Sequence, residues 1–270
     1  MLLSGCPQLL ADDFRARRAI ERDASPHLGS DGGSDGPSAP APDAAPNTAG
    51  LRAALARRYD FDGFGPNPLD ALGGDPAYIY NGALGGQGFV RLGGVNQYVS
   101  LPNGALSSTP DKTIEAWLTW RGGPPWQRIF DFGVSDAGEF NQGAGRSYLF
   151  LTASSDEGVL SVAYSLNGRD DEVRLAGTGP CPTGTLTHVA VVVDSARNSL
   201  ALYLNGALDA ETLLTRRLGS IDDKNLWIGR SQYAGDPNLD ADVTEFRLYD
   251  APLGAADLAL SHRLGPDVAP

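Results

Sequence analysis

Between Arg57 and Tyr249 the chain is written in short runs in which apolar and polar residues alternate, each closed within a few positions by Gly, Pro, Asn or Asp. The runs cover 57–61, 89–92, 98–101, 113–120, 128–132, 148–152, 159–164, 172–175, 188–193, 200–204, 226–229 and 243–249. A period of two is that of a β-strand, because successive side chains leave opposite faces of the backbone. Such strands and turns, with no long helical period, predict an all-β chain. Leu200 to Leu204 closes on Asn205-Gly206, the strongest short hairpin signal. So many strands in one sheet would leave an apolar face in water, so two stacked antiparallel sheets are expected.

The last run begins in an acidic stretch, DPNLDADVTEFRLYD (236–250). Asp236, Asn238 and Asp240 fit the first positions of an EF-hand loop, but Ala241 stands where Gly is required and Arg247 where the closing Glu belongs. An EF-hand is excluded. The second half sets Phe246 and Leu248 against Glu245 and Arg247, which predicts a strand with one face in the core and one in water.

The formal charge of −12 and the absence of any Lys/Arg-rich run argue against a nucleic-acid partner. No stretch approaches the roughly 18–20 apolar residues that span a bilayer. Leu3-Ser4-Gly5-Cys6 resembles the lipobox before the lipidated cysteine of bacterial lipoproteins, although only five residues precede Cys6 where a signal peptide needs about 15–30. Residues 25–50 are almost wholly Ser, Gly, Asp, Pro and Ala, too poor in apolar surface to fold, and read as a disordered tether. The expected layout is a lipobox-like start and spacer (1–24), a linker (25–50) and one folded domain (51–265). Lipidation at Cys6 would make the protein a cell-envelope lipoprotein, periplasmic or outer-surface, bound to membrane only through its anchor; a secreted protein is the alternative. The second cysteine, Cys181, sits between two prolines and reads as a structural thiol.

Six pieces then carry a resemblance: TIEAWLT (113–119), WQRIFDFG (126–133), THVAVVVD (187–194), LYLNG (202–206), LWIGR (226–230) and VTEFRLY (243–249). In this order they resemble the LamG-like jelly-roll domains of the concanavalin A-like lectin and glucanase superfamily, over about Tyr59 to Leu260. The resemblance implies a jelly-roll β-sandwich with a short terminal helix at 255–262. It implies a binding module rather than an enzyme, because the carboxylates that hydrolases of the superfamily line up on one strand are missing: Glu115 stands alone, and Asp170-Asp171-Glu172 leads out of a turn.

Lectin-like jelly rolls hold ligands on rim loops or on a sheet face, where aromatic rings stack on sugars and amide, carboxylate or guanidinium groups pair with hydroxyls. The candidates are Trp126, Arg128, Tyr148, Arg230, Gln232 and Tyr233. Trp117, Trp120 and Trp227 lie inside expected strands and read as core. The resemblance also implies a structural calcium ion between an early acidic loop and the one before the last strand, with Asp70, Asp240 and Asp242 as candidate ligands; Thr244, where the family usually has Asp, weakens that site. The expected function is a monomeric, non-catalytic binder of glycan or glycoprotein. An envelope scaffold or adhesion domain contacting protein is the alternative, and a glycoside hydrolase the third reading.

Overall fold

Residues 48–82 and 84–270 are described by a computed structural model. Cys6, the spacer and residues 25–47 of the linker lie outside them. In chain order the strands are β1 (Leu55–Tyr59), β2 (Phe64–Gly65), β3 (Tyr78–Tyr80), β4 (Leu84–Gly85), β5 (Val90–Gly93), β6 (Tyr98–Leu101), β7 (Lys112–Trp120), β8 (Arg128–Ser135), β9 (Gly145–Thr152), β10 (Ser161–Ser165), β11 (Val173–Ala176), β12 (Thr187–Asp194), β13 (Ser199–Leu204), β14 (Ala207–Leu213), β15 (Asn225–Ile228) and β16 (Asp240–Tyr249). Helix α1 (Ala49–Ala54) precedes them and α2 (Ala255–Leu264) follows. All twelve expected strands are present, their ends shifted by a few residues; β2, β3, β4 and β14 are additions. Among the described residues, α1 takes in linker positions 49 and 50 and buries Leu51.

The strands form an antiparallel jelly-roll β-sandwich. One seven-stranded sheet runs β1-β16-β7-β12-β13-β14, with β5 also paired to β16, and the other runs β11-β10-β9-β8-β15-β6-β3. The facing sides meet in one core, in which Ile114 and Leu118 of β7, Val191 of β12 and Phe246 of β16 pack with Phe130, Phe132, Leu149 and Leu151 of the opposite sheet. Phe246 sits edge-to-face on Phe130 and Phe132, ring centres 6.2 and 5.9 Å apart; each such pair contributes about 0.5–1.5 kcal/mol beyond the area it buries. The β13–β14 hairpin turns on Asn205 (φ 50°) and Gly206 (φ 77°), the two left-handed residues a type I′ turn requires.

One expectation fails. The polar face of β16 is not in water: Glu245 and Arg247 are buried, because α2 and the chain beyond it lie over that side of the first sheet. Arg247 donates from Nη2 to the carbonyls of Gly265, Pro266 and Val268 at 3.2, 2.9 and 2.9 Å, and stacks 4.4 Å over Trp117. Glu245 accepts from Arg247 and, at 2.8 and 3.0 Å, from Arg58. Beside them the buried Glu115 accepts from Tyr249 and Ser261, both at 2.9 Å, and stands 3.2 Å from His188 Nε2. Alternation in a strand tells which side chains share a face, but not whether a distant segment covers it.

Candidate functional site

The outer face of the second sheet is built differently. Strand register places Tyr78, Ser100, Trp227, Asp131, Phe150, Ala163 and Arg174 in one row across it. Two loops form a ridge over the middle of this row. Gln142 Nε2 donates to Ser231 O at 2.8 Å, Gly143 N to Gln232 O at 3.0 Å, and Phe140 N to Asn225 Oδ1 at 2.7 Å. A recess opens on each side.

The first recess, of about 70 Å³, is lined by Trp126, Arg128, Phe150, Arg169, Glu172, Arg174, Tyr233 and Asp236. Trp126 enters β8 with φ 72°, a left-handed conformation that costs a bulky residue on the order of 1–3 kcal/mol. It is pinned there on both sides, its N–H donating to Ser154 O at 2.8 Å and its carbonyl accepting from Arg128 Nη1 at 3.0 Å. The Arg128 guanidinium lies 3.8 Å over the Phe150 ring and donates to Asp236 at 2.7 Å. Arg174 reaches within 5.4 Å of the Trp126 ring and is paired with Glu172. Arg169 is exposed, with no carboxylate partner among the described residues. The Trp126 indole and the Tyr233 ring therefore converge with the Arg169 and Arg174 guanidinium groups in one open dip, whose floor is the buried Arg128 and Phe150.

Below it lies a buried acid. Asp131 is 3.4 Å from Arg128 Nε and accepts from the Gln232 N–H at 2.9 Å. Burial pushes its carboxyl up to about 7, against the opposing pull of Arg128 and of that hydrogen bond. The Tyr148 hydroxyl donates to Glu172 at 2.6 Å and sits 2.9 Å from that of Tyr233; burial raises both tyrosines above their ordinary range.

The sequence candidates therefore divide. Trp126, Arg128 and Tyr233 share the first recess, with Tyr148 fully buried beneath, where it orients Tyr233 and Glu172 rather than meeting a ligand. Gln232, expected to face a ligand, is buried in the ridge, its amide spent on Asn225 and the Asp131 carbonyl. Arg230 lies across the ridge in the second recess. Phe150, Arg169 and Arg174 carry no ligand signal of their own in the sequence reading, and Asp236 and Glu172 enter it only as an EF-hand position and as part of a turn. The one available signal was the two-residue spacing of Glu172 and Arg174, which puts both on one face of the strand. Trp117, Trp120 and Trp227 are buried as expected, and so is Cys181, whose thiol burial pushes up to about 12.

The calcium candidates carry arginine instead. Asp70 accepts from Arg57 at 3.2 Å and from the N–H groups of Arg58 and Leu72. Asp240 pairs with Arg121 at 2.6 Å, and Asp242 with Arg91 and Arg121, both at 2.9 Å. Among the described residues no cluster of three or more His, Cys, Asp or Glu side chains is arranged to hold a metal. With fixed positive charge already at its carboxylates, this donor set does not fit a calcium ion.

Residues 92–259 match the Laminin_G_3 family, described as the concanavalin A-like lectin/glucanases superfamily, and the chain belongs to it. Among solved structures it is similar to domain 4 of AbnA, a GH43 extracellular arabinanase from Geobacillus stearothermophilus, in complex with arabinotriose, at 18% identity and TM-score 0.60, covering 76% of this chain and 97% of that one. It is also similar to the CBM40 of Ruminococcus gnavus IT-sialidase bound to alpha2,3 sialyllactose (13% identity, TM-score 0.52, 64% and 95% covered). A third similar structure is Trypanosoma rangeli sialidase in complex with 2,3-difluorosialic acid (16% identity, TM-score 0.59), where 77% of this chain matches but spans only 32% of the sialidase. At these identities the likeness shows the fold alone. No curated protein sequence matches the chain.

Proposed function

We propose that the domain is a non-catalytic glycan-binding module whose first contact is the Trp126 recess. The observation that carries this reading is the convergence of Trp126 and Tyr233 with Arg174 in one open dip on a sheet face, floored by the buried Arg128 and Phe150. Apolar sugar faces stack on such rings, while guanidinium groups donate to ring and hydroxyl oxygens. A volume of about 70 Å³ suits a platform against which part of a sugar ring rests. Similar structures described as a carbohydrate-binding module with sialyllactose and an arabinanase domain with arabinotriose support a sugar ligand.

Physical chemistry also favours binding over hydrolysis. The acid whose proton affinity suits proton transfer near neutral pH, Asp131, is sealed under Arg128 and the ridge, out of reach of a glycosidic oxygen. A lipidated Cys6 would hold the module at the bacterial envelope, a reading that rests on Leu3-Ser4-Gly5-Cys6 and the Ser/Gly/Pro-rich tether.

The test is a glycan array followed by calorimetry on the bound class, with Trp126→Ala and Arg174→Ala as variants. Each is expected to weaken binding about tenfold, near the upper end of what an aromatic contact contributes, with the melting temperature shifted by a few degrees at most. An array with no bound glycan, or glycan binding indifferent to both substitutions, overturns the reading. Release of reducing sugar would replace it with hydrolysis, and capture of one protein partner unaffected by sugars would replace it with a scaffold role.

A further inference from the structure

The second recess, across the ridge from Trp126, holds about 280 Å³ and is lined by Tyr80, Asn81, Asn96, Tyr98, Phe140, Gln142, Arg230 and Asn238. That falls just below the roughly 300–1,000 Å³ of small-molecule sites. Its aromatic side is an unbroken ladder: Tyr78 meets Tyr80 edge-on at 4.8 Å, Tyr80 stacks on Tyr98 at 4.5 Å and 5°, and Tyr98 meets Trp227 at 5.7 Å. Arg230 lies over both Tyr98 and Trp227, 4.4 and 4.3 Å from the ring centres. It donates to a neutral amide, Gln142 Oε1, at 3.3 Å and also reaches the Tyr98 hydroxyl, and no carboxylate pairs with it among the described residues.

The lining contains no Asp or Glu, although the chain as a whole carries −12. The side-chain amides of Asn96 and Asn238 make no hydrogen bond among the described residues, so they hold nothing in the fold. Asn81, Asn96 and Phe140 all have left-handed backbone (φ 57°, 57° and 65°). Asparagine tolerates that region; phenylalanine does not, and Phe140 is also 55% exposed. Phe61 holds the same strained backbone inside the core, whereas Phe140 holds it at the mouth of the recess with its ring in water.

The geometry points to a second binding site, independent of the Trp126 recess, that takes a sugar unit bearing a carboxylate. The carboxylate meets the Arg230 fork, whose planar donors match it in two-point fashion. The ring lies by the tyrosine ladder, and its hydroxyls meet the free amides of Asn96 and Asn238.

Calorimetry on the full chain with two acidic probes, a galacturonate trimer and sialyllactose, tests this beside carboxyl-reduced trimer, lactose and sodium acetate. At least one acidic probe is expected to bind, and the matching neutral sugar and acetate at least tenfold more weakly. Arg230→Met is expected to remove at least tenfold of that affinity and Phe140→Ala about threefold, both more than Trp126→Ala removes. Phe140 is exposed, so its variant decides the matter if Arg230→Met does not fold. Failure of both acidic probes to bind, equal binding of the neutral counterpart or of acetate, or acidic binding lost only in Trp126→Ala overturns the proposal. Neutral-glycan binding that depends on Trp126, without acidic binding, would leave the first recess standing and sink the second.

Discussion

The two sheets turn faces of similar composition outward and put them to opposite uses. The outer face of the first sheet carries Glu115, His188, Glu245, Arg247, Trp117 and Tyr249; that of the second carries Asp131, Arg174, Tyr98, Tyr148, Phe150 and Trp227. On the first, α2 and the carboxyl-terminal chain close over the charges, and every ion finds a partner inside the protein. On the second, the loops cover only the middle, and Arg169 and Arg230 are left without a carboxylate partner among the described residues. Residue type does not separate a clamp from a site; coverage and pairing do.

The clamp is the place to break that distinction with the largest effect. Arg247→Met takes the Arg247 donor from the part-buried carbonyls of Gly265 and Val268 and from part of the buried Glu245, while Pro266 O keeps the bond from Arg58. Removing one member of a buried ion pair costs about 3–5 kcal/mol, and urea unfolding at 25 °C is expected to show a loss of that size. Glycan affinity, measured well below the transition, stays unchanged. A loss under about 1 kcal/mol would mean that the closed face behaves like an exposed one.

Beneath the open face the sign reverses, because Asp131 is a buried acid whose pairing does not offset its desolvation. With its carboxyl raised from 3.8 to about 7, it is protonated in both states at low pH and has no effect there. As pH rises from about 4 to about 7 the unfolded chain gives up the proton while the native one retains it, so stability falls. Above about 7 the whole penalty is present, roughly 4 kcal/mol at 1.36 kcal/mol per unit. Asp131→Asn cannot ionise, so between pH 5 and pH 8 its stability is expected to gain on that of the unsubstituted protein. Parallel stability curves would show that Arg128 and Gln232 hold Asp131 ionised throughout.

Much of the fold was legible because it is local. Alternation and turn residues located all twelve expected strands, and Asn205-Gly206 located a hairpin. What stayed hidden was contact across the chain. Strand β3 is too short to signal by period, yet it supplies Tyr80 to the second recess, where Tyr98 comes from β6 and Arg230 from a loop more than a hundred residues on. Trp126 and Tyr233 were readable as loop aromatics, but Gln232, one residue from Tyr233, points into the ridge, and no local pattern says which neighbour turns inward. The wet face expected for β16 failed for the same reason, since its cover arrives from beyond residue 254.

The smallest effect belongs to the acidic start of β16, and it sharpens the comparison at its exposed extreme. Asp242 is opposite Arg91 in the register of β5 and β16 and also bonds Arg121. Burial pushes its carboxyl up, but the hydrogen bonds from Arg91 and Arg121 outweigh that and hold it below the usual range. The stabilisation this adds is present above the ordinary carboxylate range and is lost as pH falls through the lowered native value. Arg91 is 65% exposed, so solvent screens most of the pairing. Asp242→Asn is expected to cost under about 1 kcal/mol, less at high salt. Two guanidinium groups already neutralise Asp240 and Asp242 at the start of β16, so adding calcium or chelator should leave the melting temperature where it is. A chelator-dependent drop of several degrees would mean that a cation displaces Arg121, and that this loop is organised by metal.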